Sequence, residues 1–391
     1  MPSPNKMPLQ VWILTLSAFA IGTAEFVIAG ILTQVAESLA ISEGQAGNLI
    51  TAYALAIVIG GPLLTLWLAR FDKRAVLIGL MVLFVLGNLL SALATDYYLL
   101  LASRVIAGLT QGPFYGIGAI VATRLVSEKI AGQAVGQMFA GLTLANVLGV
   151  PAGTDRPCQN VTTTGLLALV AVALAIPSQP RQQAPSPLAQ LQAFRGNLLA
   201  SLAITVLAWT GFMTYYGYIA PIAEQVAGFD RNAVTWLLVI VGLGLLLGNK
   251  LGGLTADSHL RASLIGWPVA MIATLFIAGL VAPYKWPLVV ISFVFGVTAF
   301  ANVAPMQMRV MKYGTAAPEL AATANISAFN IANALGGIIG SVVIDSHLGA
   351  AAIPFAAMAV PVLGVVFILS QERGAARPPI SAGDTSHGDQ P

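Results

Sequence analysis

Leu144-Ala-Asn-Val-Leu-Gly149, followed by Gly153, returns as Ile331-Ala-Asn-Ala-Leu-Gly336, followed by Gly340, at a constant offset of 187 residues. Other landmarks obey the same offset: Thr23 and Gly30 fall on Thr210 and Gly217, Gly61 on Gly248, and Arg74-Ala75 on Arg261-Ala262. One match among Ala, Gly and Leu carries little weight. Several at one spacing describe a duplicated unit that fills about half of the 391-residue chain.

Each unit is built for a bilayer. The chain is 57% hydrophobic and only 8% charged, against about 25% charged in soluble domains, too little to build a water-facing surface. A spanning helix needs about 20 mainly apolar residues. Apolar runs read against turn and charge punctuation place spans at about Val11–Thr33, Ala46–Ala69, Ala75–Ala94, Tyr97–Ala122, Gly132–Thr154 and Thr164–Pro177, then Asn197–Pro221, Asn232–Thr255, Ala262–Ala282, Trp286–Gln307, Leu320–Ile344 and Gly349–Ser370. The expected fold is all-α with twelve transmembrane helices in two six-helix pseudo-repeats: residues 1–177, a cytoplasmic linker over 178–196, residues 197–370, and a disordered cytoplasmic tail over 371–391. Val11–Thr33 is too long for a signal-peptide core and precedes many further spans, so it is expected to be retained.

With the N-terminus inside, fourteen of the 18 Lys and Arg residues fall on the cytoplasmic side; only Arg104, Arg156, Arg231 and Lys285 do not. Both termini are therefore expected in the cytoplasm. Six helices separate equivalent points, so the copies run parallel, as in transporters whose halves rock about a site near the midplane. A single cysteine, Cys158, excludes an intrachain disulfide, and His259, His347 and His387 lack metal-ligand spacing. No metal and no cofactor are expected. The basic residues sit in short loops rather than one patch, which argues against nucleic acid. No Gly-Lys-Ser/Thr loop is present to cradle ATP.

Gly22-Thr-Ala-Glu-Phe-Val-Ile-Ala-Gly30, Gly61-Pro-Leu-Leu-Thr65, Arg104 with Gly108, and Gly141-Leu-Thr-Leu-Ala-Asn-Val-Leu-Gly-Val-Pro151 resemble the major facilitator superfamily, specifically the drug and sugar efflux branch of its bacterial proton antiporters, such as arabinose or chloramphenicol exporters. The resemblance covers nearly the whole chain. It implies the major facilitator fold, residence in the bacterial inner membrane, a monomer, and alternating access that exchanges protons for a small organic compound. The superfamily's loop signature stands in the second half as Gly253, Asp257 and Arg261. In the first half Ala69 stands where the Asp would be, with Arg70, Lys73 and Arg74 kept. A cytoplasmic gate built from Arg70, Lys73, Arg74, Asp257 and Arg261 would therefore need other partners on that side.

Glu25 falls near the middle of the first span, where a carboxylate is costly and points to function. Ala18, Gly22 and Ala29 share its helical face. Two roles fit: a proton-coupling carboxylate, or a structural one bonded to neighbouring helices. Arg104 heads a polar stripe with Gly108, Gln111 and Tyr115. The resemblance associates that arginine with proton transfer, in which it could pair with Glu25 or a substrate anion; anchoring to backbone carbonyls is the alternative. Candidates for the substrate cavity are Phe26, Tyr53, Gln111, Tyr115, Asn146, Trp209, Phe212, Tyr216 and Asn333, since ligand sites are mostly apolar with a few placed polar groups. Helices one, four, seven and ten are expected to line it.

One region breaks the repeat. Gly340 to Ser370 is 30 residues, whereas Gly153 to Pro177 is 24, and Asp155-Arg-Pro-Cys-Gln-Asn-Val-Thr162 replaces the apolar connection that the family would have. Thr164–Pro177 would span only about 21 Å. Helix six thus reads as short or damaged, which leaves an inactive paralogue, beside an uptake or facilitative carrier, as an alternative to efflux.

Overall fold

A computed structural model describes residues 7–30, 35, 38–41, 43–145, 157–178 and 186–375. The first half contains α1 (Leu9–Gly30), α2 (Glu43–Leu55, running through a π turn at Ala56–Gly60 into Gly61–Leu68), α3 (Lys73–Leu93), α4 (Tyr97–Arg124), α5 (Ala131–Leu144) and α6 (Pro157–Ala175). A short helix, Pro187–Gln192, precedes α7 (Asn197–Tyr216). Helices α8 and α9 are the two limbs of Arg231–Val281, which breaks at His259 (φ −148°, ψ 70°). The chain ends in α10 (Lys285–Phe300, continuing as Val303–Tyr313), α11 (Pro318–Ile344) and α12 (Ile353–Ala375).

Aspartate side chains start several of these helices by accepting an otherwise orphaned N–H three residues on: Asp72 from Ala75, Asp96 from Leu99 and Asp230 from Ala233. Inside the spans, hydroxyls bond back to the preceding turn, as Ser17 does to Ile13 and Thr214 to Thr210. That habit explains a correction to the sixth helix. It begins at Pro157 rather than Thr164, because the polar residues expected to lie before it are absorbed: Thr163 donates to the carbonyl of Gln159, and Thr164, the expected first residue, to that of Asn160. Its 19 residues reach about 28 Å, close to the hydrocarbon thickness of about 30 Å.

Three further boundaries differ from expectation. No loop separates α8 from α9: the helix carries on to His259 and turns there. Trp267 Nε1 donates to Thr255 Oγ1 at 2.9 Å, whereas twelve residues of straight helix would part them by about 18 Å. Helix α10 is interrupted at Ala301–Asn302, where Asn302 Nδ2 bonds back to the carbonyls of Thr298 and Ala299, and it continues past Gln307 to Tyr313. Helix α12 runs five residues into the stretch expected as a tail, to Ala375. Asn146, Gly149, Gly153 and the 146–156 segment lie outside the described residues, as does the tail beyond 375.

Helix pairs repeat as the sequence offset does. The contacts of α1 with α5 and α6, α2 with α4, and α3 with α6 recur as α7 with α11 and α12, α8 with α10, and α9 with α12. The halves meet where α5 crosses α8 and where α11 crosses α2 and α4. Glycine is required at these crossings: a Cβ on Gly136 would lie 2.6 Å from the Asn249 carbonyl oxygen, and one on Gly116 would lie 2.6 Å from the Thr323 nitrogen. Within the first half, a Cβ on Gly141 would clash with the Thr15 carbonyl. Replacement Gly141→Val is therefore expected to lower stability by about 1 to 3 kcal/mol by overpacking. Gly337→Ala, whose Cβ would meet nothing within 4 Å, is expected to hold or raise it, as read by thermal unfolding of the purified protein.

Candidate functional site

At mid-bundle a cavity of about 90 Å³ lies between the halves. Its first-half wall is polar at one point. Glu25 from α1 accepts a hydrogen bond from Gln111 Nε2 of α4 at 2.8 Å, and Gln111 Oε1 in turn accepts from the Tyr53 hydroxyl of α2 at 2.6 Å. Tyr115, one turn beyond Gln111, donates to the Ala18 carbonyl. The second-half wall is aromatic: Trp209, Phe212, Phe300 and Phe329 form one cluster with ring centroids 4.6 to 5.3 Å apart, and Tyr216 stacks on Phe212. Trp209 Nε1 donates to Asn333 Oδ1 at 2.9 Å.

Of the residues singled out from sequence, Glu25, Gln111, Tyr115, Trp209, Phe212, Tyr216 and Asn333 face this cavity. Tyr53 stands behind it, joined through Gln111. Arg104 is buried beside the site rather than in its wall: Nη1 donates to the Ala24 carbonyl at 3.0 Å, and the guanidinium lies 4.2 Å from the Tyr53 ring centroid. Phe26 belongs to α1, but its side chain, like Asn146, lies outside the described residues. The expected four lining helices are corrected to six, because α5 and α11 contribute Phe139, Leu142, Ile326, Phe329 and Asn330. The 187-residue offset relates Phe139 to Ile326, Leu142 to Phe329 and Glu25 to Phe212.

Below the cavity, the end that carries the α2–α3, α4–α5, α8–α9 and α10–α11 connections is sealed across the halves. Asp257 Oδ1 and Oδ2 accept from the Gly132 and Gln133 amides, at 2.5 and 3.0 Å. These are first-turn N–H groups of α5, orphaned by the helix geometry and at the positive end of its dipole. Lys73, the first residue of α3, meets Glu319, in the first turn of α11, at 3.0 Å, with both side chains almost wholly buried. Closer to the cavity, Asn249 donates to Thr143 and Ser327 to the Ile57 carbonyl, and Thr65 donates to Thr323.

The five expected gate residues thus divide. Asp257 and Lys73 join the halves. Arg74 donates to the Ala173 carbonyl of α6 within its own half, Arg70 lies over the Trp67 and Phe71 rings, and Arg261 is exposed. The offset pairs Asp257 with Arg70, not with Ala69, so a cation stands where the other half has its capping carboxylate. Glu319, the partner of Lys73, had no motif to mark it.

Residues 14–341 match the family model described as Major Facilitator Superfamily. The chain belongs to that superfamily of membrane transporters. Inner membrane transport protein YdhP of Escherichia coli K12 is 36% identical over 379 residues, covering 94% of this chain and 97% of YdhP. A Helicobacter pylori protein named "Probable sugar efflux transporter" is 27% identical, over 92% of this chain and 94% of its own. Among solved structures, the human organic anion transporter MFSD10 superposes with a TM-score of 0.76 over 94% of this chain and 100% of its own; at 13% identity it speaks to the fold alone.

Breaking one partner of a buried ion pair strands the other charge. Glu319→Gln should therefore lower the unfolding stability of the purified protein by about 3 to 5 kcal/mol. The exchanged pair, Lys73→Glu with Glu319→Lys, should recover most of that loss, whereas Arg261→Gln at an exposed site should cost little.

Proposed function

We propose that the protein is a proton-coupled exporter of a small organic compound, a drug-like molecule or a sugar. It would work by alternating access in the bacterial inner membrane, with both termini in the cytoplasm. One observation carries the reading: Glu25, in the first span, opens onto a cavity enclosed by both halves, facing an aromatic wall. An intramembrane carboxylate is a costly residue to keep. Here its bonded neighbours, Gln111 and Tyr53, bear protons of their own, and Arg104 of α4 donates to the carbonyl of Ala24, the residue before Glu25. A proton on Glu25 and a substrate over Trp209 and Phe212 would then compete for one space.

The small volume supports a closed state. Ligand clefts run to roughly 300 to 1,000 Å³, so a sugar or drug enters only when the halves part. Asp257 and the Lys73–Glu319 pair act as the cytoplasmic gate in this reading, since they hold the halves together below the cavity. The break in α10 sits beside Phe300 and Val303, both in the cavity wall. Discontinuous helices are a recurrent feature of transporter binding sites. The 19-residue length of α6 supports a transporting protein over an inactive paralogue.

Inside-out vesicles with an acid interior test the proposal against a panel that includes arabinose and chloramphenicol. At least one compound should accumulate, and an uncoupler should abolish the accumulation. Glu25→Gln should reduce gradient-driven accumulation to background while leaving exchange of unlabelled for labelled compound across the membrane. Equal gradient-driven transport by wild type and Glu25→Gln would remove the coupling role.

A further inference from the structure

The outer face of the bundle carries two grooves related by the repeat. One, of about 390 Å³, lies between α2 and α3 and includes Leu68, Phe71, Val76, Gly79, Leu80 and Leu83 in its lining. The other, of about 360 Å³, lies between α8 and α9 and includes Thr255, Ser258, Ser263, Gly266, Trp267 and Ala270. These are the same six positions, 187 residues apart. A Cβ on Gly79 or Gly266 would meet nothing within 4 Å, so both grooves open outward.

The fold makes the groove in each half, but its chemistry is not inherited. The α8–α9 groove is hydroxyl-lined, and its Trp267 spends Nε1 on Thr255. The α2–α3 groove is lined by Leu, Phe, Val and Trp67, and a cation stands at its loop end. The Arg70 guanidinium lies 4.9 Å from the Trp67 ring centroid and 5.0 Å from that of Phe71, and both rings line the groove. The repeat counterpart of Arg70 is Asp257, which turns inward to α5. Arg70 instead stays exposed on the outside. Around it, Asp72 caps α3, Lys73 turns in to Glu319, and Arg74 reaches the Ala173 carbonyl.

Groove length matches one leaflet. From Ala75 to Leu86, the limits of its lining on α3, the helix rises about 16 Å, roughly half of a hydrocarbon core of about 30 Å. Trp67 and Arg70 mark the level at which aromatic and basic side chains meet lipid headgroups. We propose that the α2–α3 groove binds an anionic phospholipid from the leaflet facing the α2–α3 turn, one acyl chain lying along α3 and the phosphate at Arg70. The bound lipid would brace the turn from which Lys73 reaches across to the other half.

Native mass spectrometry of the full-length protein, titrated with phosphatidylglycerol or phosphatidylethanolamine of identical chains, tests this. Wild type should take up one phosphatidylglycerol about fivefold more tightly than phosphatidylethanolamine, the preference expected from one arginine at an anionic surface. Arg70→Gln, at an exposed position, should erase the preference and keep residual binding of both lipids. Gly79→Phe, which fills the groove, should weaken both, while Gly266→Phe in the twin groove should leave the preference intact; circular dichroism and melting confirm that each variant is folded. Equal binding of the two lipids by wild type overturns the proposal, as does a preference that survives Arg70→Gln. Lipids adding in a series of equal steps, as an unselective annulus would, also overturn it.

Discussion

In a bilayer core a backbone N–H or C=O finds no water, and each one left without a partner costs several kcal/mol. That constraint forces helices throughout the described chain. It also governs the polar side chains within the spans. Thr15, Ser17, Thr23 and Thr214 return their hydroxyls to carbonyls one turn back, and Arg104 is held by the Ala24 carbonyl and the Tyr53 ring. Other polar side chains reach across between the halves. Asp257 bonds to α5 amides and Lys73 to Glu319, so the seams between the halves are written in charged residues, which make up only 8% of the chain.

Duplication supplies the scaffold, and divergence supplies the function. Equivalent helices make equivalent contacts in the two halves, yet matched positions carry opposite chemistry. Glu25 faces its repeat partner Phe212 across the cavity, and Asp257 clamps inward where Arg70 turns outward. A symmetric pair of halves would offer two like walls. This pair offers a carboxylate on one wall and aromatic rings on the other, the asymmetry on which the proposed exchange of a proton for an organic molecule rests.

Spans, repeat and family were legible in the sequence because hydropathy and a fixed offset survive any detail of packing. So were seven cavity residues, since an amide, an aromatic ring or a carboxylate in the middle of an apolar run asks for a partner. Boundaries were less legible. Thr163 read as loop but is satisfied by its own helix, and α8 and α9 read as separated but meet at one residue, His259. Glu319 stood outside every motif. Its value appears only when the start of α11 is placed against the start of α3, a contact between residues far apart in the chain. Phe139 and Leu142 are ordinary apolar residues whose place in the wall depends on how α5 is rotated.

The central claim is that the halves separate at the end closed by Asp257. The most direct measurement is the distance between spin labels at Glu128 and Ser258, exposed positions flanking the α4–α5 and α8–α9 connections, in a Cys158→Ala background in proteoliposomes. Wild type should show a dominant short distance, and Asp257→Asn should shift the population to a longer one. A single short distance, unchanged by Asp257→Asn, would contradict the account.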